Sequence, residues 1–73
     1  MGKAGVALKQ VLETYNIPQN QLAVEMGTGR PNVHRWINEQ ADPVGDKILA
    51  IRDALQKINP EAAAAFTKLY WEA

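Results

Sequence analysis

The sequence predicts an all-α fold of five short helices in one domain. Three observations predict it. Apolar residues recur at helical spacing in five successive stretches. Pro, Gly and Asn punctuate the boundaries between those stretches, and no stretch alternates apolar and polar residues as a half-buried strand would. The 73 residues, 47% of them hydrophobic, suffice for one small helical core. There is no repeat, low-complexity segment or long linker, so residues 1–73 read as a single domain.

The first helix is expected over about residues 4–15, with Ala4, Leu8, Val11, Leu12 and Tyr15 on one face. Asn16 tolerates left-handed backbone and Pro18 biases Ile17 away from helix, so the helix stops there. Pro18 opens the second helix, where its missing N–H costs little. Leu22, Ala23 and Met26 give that helix its apolar side, and Gly27 supplies the left-handed residue that closes it. The third helix begins near Gly29 or Arg30, with Pro31 tolerated because it falls in the first turn. Val33, Trp36 and Ile37 repeat the apolar spacing, which marks Trp36 as a core residue. A helix-turn-helix core thus spans about residues 18–38.

Residues 39–43 are expected to form a loop, with Asp42 and Pro43 as cap and first residue of the fourth helix. Ile48, Ile51, Leu55 and Ile58 give that helix its buried stripe. Asn59, Pro60 and Glu61 repeat the cap-and-proline signal and place an acid in the first turn of a fifth helix, about residues 60–72. Four alanines at 62–65 favour helix there, followed by Phe66, Leu69 and Tyr70.

Two helices joined by so short a glycine turn cross steeply and leave the second one propped outward. Arg30, Asn32, His34 and Arg35 fall off the apolar stripe of that propped helix. An arginine fork spans the O6 and N7 acceptors of guanine or grips phosphate, Asn suits adenine, and His donates to phosphate or base. The plain alternative is a solvated surface for each of them. Asn38, just past the third helix, stands where backbone and side-chain donors often meet phosphate.

With these features in place, the chain resembles the Cro/lambda-repressor-like (XRE) helix-turn-helix family over about residues 8–55. The family's Gln at the start of its second helix matches Gln19, and its Leu-Ala pair matches Leu22 and Ala23. Its turn glycine matches Gly27, its recognition-helix aromatic matches Trp36, and its proline before an amphipathic helix matches Pro43. The resemblance implies a five-helix lambda-repressor-like domain whose third helix enters the major groove of double-stranded DNA. It also implies that the Gln19 amide contacts a phosphate and braces the recognition helix. The chain departs from the pattern at Gly29, where a Ser or Thr cap is usual. It departs again at Pro31, where many members carry a base-reading side chain, so readout there is apolar or absent. Ile37 and Glu39 are further departures, and Glu39 would repel DNA unless it points away.

Formal net charge is zero, an awkward balance for a DNA binder, but its distribution is uneven. Residues 1–38 carry Lys3, Lys9, Arg30 and Arg35 against Glu13 and Glu25, a net +2. Residues 39–73 carry a net −2. The half with the recognition helix is the positive one.

There is no Cys, hence no disulfide and no thiolate metal site, and a reducing cytoplasm is the expected compartment. One His without Cys completes no metal-ligand set. No apolar run approaches the roughly 18 residues of a membrane span. A signal core is missing too, and Val6 stands where a myristoylation motif needs Ser or Thr. With no Ser, no Cys, no paired acid for His34 and no phosphate loop, the sequence predicts neither a catalytic residue nor a cofactor.

Trp71 sits about 100° around the fifth helix from Tyr70, off the core stripe. Helix-turn-helix readers usually bind paired half-sites as dimers, so Phe66, Tyr70 and Trp71 are expected to contribute to a homodimer interface. The expectation is therefore a dimeric, sequence-specific transcriptional regulator reading a short palindrome. The alternative is a protein-interaction module or antitoxin-like regulator on the same fold, with a protein partner and weak or lost DNA readout.

Overall fold

The computed structural model describes residues 3–38, 40, 41, 43 and 45–72. It holds five helices: α1 (Lys3–Thr14), α2 (Gln19–Met26), α3 (Arg30–Ile37), α4 (Asp46–Ile58) and α5 (Pro60–Glu72). There is no strand among the described residues. The all-α expectation holds, and four of the five helices start within about a residue of where the sequence puts them.

Each helix end has a local cause. Asn16 takes the left-handed conformation at φ 54°. The Ile17 N–H then reaches back to the Leu12 carbonyl at 2.9 Å and that of Asn16 to Glu13 at 3.4 Å, the paired bonds that close a helix C-terminus. Gly27 repeats the device after α2 at φ 70°, with the Thr28 N–H donating to the Ala23 carbonyl at 3.0 Å. Asn59 caps α5: its Oδ1 accepts from the Glu61 N–H at 3.0 Å, while Pro60 fills the first position, which needs no donor.

The start of α4 is a correction. It begins at Asp46 rather than at Pro43. The physical reason is Gly45, whose φ 50° and ψ −116° are accessible to glycine and strained for any other residue. That residue redirects the chain immediately before the helix, and Asp46 becomes the acid of the first turn. Pro43, expected as a helical residue, is instead a buried loop residue. The expected cap Asp42 lies outside the described residues, as does Glu39.

The core is one cluster drawn from all five helices. Leu8 and Val11 of α1, Leu22 of α2, Val33 of α3, Ile51 and Leu55 of α4, and Phe66 of α5 are its most deeply buried large side chains. Trp36 lies in the same cluster at 6% exposure, facing inward as expected. No charged or polar residue among those described is buried. Helix α3 packs chiefly on α2 and α1, while α4 and α5 pack on each other and close the opposite side against α2 and α1. This division leaves one face of α3 bare.

Candidate nucleic-acid interface

Helix α3 owes its orientation to a three-residue turn, Gly27, Thr28 and Gly29, between α2 and itself. Gly29 is extended at φ −77° and ψ 143° and offers no side-chain cap. Thr28 contributes differently: its hydroxyl accepts from Asn32 Nδ2 at 2.9 Å. Asn32 is half-buried and braces the turn, so it is not on the outermost face. To grip adenine with both amide atoms it would have to share or release that bond.

The outermost face carries Arg30, Pro31, His34 and Arg35, all exposed. With Gln40 they line a shallow depression of about 460 Å³. Arg30 and His34 form one i, i+4 row, and Pro31 and Arg35 the next. The surface is therefore an apolar proline spot flanked by two guanidinium groups. The one ion pair among the described residues joins Arg52 to Asp53 at 3.3 Å on α4, so Arg30 and Arg35 are not neutralised by an acid there.

At the far end of α3, Asn38 Nδ2 donates to the His34 carbonyl at 2.9 Å and lies 3.0 Å from His34 Nε2. With Nδ2 donating both hydrogens, His34 Nε2 is the acceptor of the second bond. The ring proton then sits on Nδ1 in the neutral imidazole. Asn38 thus holds the ring rather than reaching outward alone.

Gln19 stands apart from this depression. It is half-buried in a second groove of about 260 Å³, at the N-terminus of α2, lined also by Lys9, Glu13, Pro18 and Ile37. Lys9 beside the first-turn N–H groups of α2 suits a phosphate oxygen, while Glu13 on the same groove opposes one. Sequence reasoning missed Lys9 and Gln40. Lys9 carries no local signal, because it and Gln19 stand on successive helices, α1 and α2, and meet only at the groove the fold forms.

The C-terminal aromatics form a graded series. Phe66 stacks on Tyr70 with ring centroids 6.3 Å apart, and Tyr70 meets Trp71 edge-on at 5.3 Å. Phe66 is 1% exposed, which corrects its assignment to a dimer surface: it is a core residue. Tyr70 is half-buried and Trp71 is 75% exposed.

Among the described residues, no group of three His, Asp or Glu side chains is placed to hold a metal ion. No helix there is long and apolar enough to cross a membrane. The chain matches no protein-family model, no curated protein and no solved structure.

Proposed function

We propose that the protein is a non-enzymatic, sequence-specific DNA-binding regulator of the Cro/lambda-repressor-like kind, working as a pair of copies in the cytoplasm. The observation that carries this reading is the bare face of α3. Arg30, His34 and Arg35 project from a helix whose opposite side is sealed into the core by Val33 and Trp36. In the major groove, Arg30 and Arg35 address guanine edges or phosphate, and Pro31 offers an apolar contact for a thymine methyl. Lys9 and Gln19 hold the phosphate backbone beside them.

Size supports the pairing. One copy measures 26 × 26 × 22 Å, less than the roughly 34–36 Å between half-sites one DNA turn apart. A copy of that size fits within one half-site. The test is a salt titration of binding to random duplex DNA, followed by selection of preferred sites. A steep loss of affinity with salt and a palindromic selected site are expected. A flat salt response overturns the proposal and favours a protein-interaction module. Zero net charge is the observation on that module's side.

A further inference from the structure

We infer that Asn38 is a positioning residue: it fixes the proton of the His34 ring on Nδ1, so that His34 meets DNA as a single hydrogen-bond donor with no acceptor. The inference rests on the proposed DNA reading and names the base edges that His34 selects.

Two contacts of one nitrogen decide the tautomer. The His34 carbonyl oxygen only accepts, so the Asn38 side-chain atom 2.9 Å from it is the amide nitrogen. That same nitrogen lies 3.0 Å from His34 Nε2. An amide nitrogen only donates, so Nε2 meets it with a lone pair and the neutral ring carries its proton on Nδ1. An unrestrained histidine in water favours the other tautomer, with the proton on Nε2. Both amide hydrogens of Asn38 are thus engaged within one turn of helix, and only its Oδ1 is left. A phosphate oxygen is an acceptor too, so the Asn38 side chain has no donor for the DNA backbone while it holds the ring.

His34 and Asn38 are both exposed. In the major groove a lone donor matches guanine O6 or N7, adenine N7 and thymine O4, and opposes the amino groups of adenine N6 and cytosine N4. A doubly protonated ring has no lone pair, so it loses the bond from Asn38 and its single orientation. The charged groups beside it are Arg30, one turn earlier on α3, and Arg35, the next residue, and Gln40 of the same depression is neutral. Lys9 and Glu13 of α1 and Glu25 of α2 do not line that depression. Acid therefore adds a third cation to the face while freeing the ring. Random DNA gains from the charge, and the advantage of a selected site shrinks.

The chain has one His, so nitrogen NMR spectra of the ring report His34 alone. Without DNA, the intact chain should carry the ring proton on Nδ1. Asn38→Ala should move it to Nε2, and Asn38→Asp, whose carboxylate only accepts, should hold it there. Circular dichroism verifies that both variants fold. In fluorescence anisotropy, Asn38→Ala should lower the preference for a selected over a random duplex about threefold to tenfold, the size of one hydrogen bond. Site selection with Asn38→Asp should exchange an acceptor edge for an amino edge at one base position, because Nδ1 now offers a lone pair. Acidifying until the spectra show both ring nitrogens protonated should narrow the preference of the intact chain and leave that of Asn38→Ala nearly unchanged.

A ring proton on Nε2 in the intact chain overturns the inference, as does a tautomer that ignores Asn38→Ala. A site preference indifferent to both variants overturns the reading role even with the tautomer as expected. If the intact chain binds no DNA while the spectra follow Asn38, the proposed function fails and the role of His34 in reading fails with it.

Discussion

Arg35 and Trp36 are adjacent in sequence and opposite in role, because one residue along a helix is a rotation of about 100°. Arg35 is exposed beside Pro31 and Trp36 is 6% exposed inside the core. Arg35→Ala should therefore leave stability nearly unchanged. It should cost about 1–3 kcal/mol on a selected DNA site if the guanidinium pairs with guanine, and relax preference at one base position. Equal losses on selected and scrambled duplexes, measured by fluorescence anisotropy, would reassign it to phosphate. Trp36→Ala should do the reverse. Emptying a buried aromatic position costs roughly 3–5 kcal/mol, a large share of what so small a domain has in reserve. Thermal unfolding checks this: an unchanged melting temperature would contradict the inward placement.

At the scale of an element, the helix boundaries carry most of the information, and two glycines differ in kind. Nothing lies within 4 Å of where a Cβ would sit on Gly27 or Gly45, so substitution costs at either come from backbone alone. Gly27 occupies the ordinary left-handed region at φ 70° and ψ 28°. Gly27→Ala should destabilise by about 1–2 kcal/mol, and Gly27→Asn by less. Gly45, with ψ −116°, lies outside even that region, and Gly45→Ala should cost more, about 2–3 kcal/mol. Chemical denaturation of the three variants checks the order, and a smaller loss at Gly45 would contradict the conformation that starts α4. Asn59→Ala removes the one side-chain cap seen on α5 and should cost about 1 kcal/mol in the same assay.

For the whole molecule, electrostatics is a question of placement, since the formal charges cancel. Two copies each setting Lys9, Arg30 and Arg35 against phosphate would release counterions with a log–log salt slope of about −5. Lys9→Ala should lower that slope by about 2 for the pair and weaken selected and random DNA equally. A selective loss on the preferred site would mean that Lys9 acts through α3 rather than on the backbone. From the acidic half, Gln40 alone is described on this surface; Arg52 is tied to Asp53 on α4, and Glu61 and Lys68 stand on α5.

The five helices, the turn at Gly27, the cap at Asn59 and the inward Trp36 were all legible in the sequence. Each is set by residues within a turn or two of one another, through φ preference, capping chemistry and apolar spacing. The exposure of Arg30 and Arg35 followed from the same spacing. The start of α4 was not legible. Asp42 and Pro43 carry a valid cap signal, but the chain turns instead at Gly45, whose backbone conformation delays the helix to Asp46. Helical spacing already set Trp71 off the core stripe, but the sequence assigned Phe66 to a dimer surface along with it. The packing of α5 against α4 and α1 buries Phe66 and leaves Trp71 exposed. The same holds for Lys9 and Gln19, ten residues apart on different helices and brought to one groove by the fold. Local chain chemistry fixes which segments are helical and which side of each is apolar. Which surfaces then meet depends on how all five stripes close on a single core, and that is decided by contacts between residues distant in sequence.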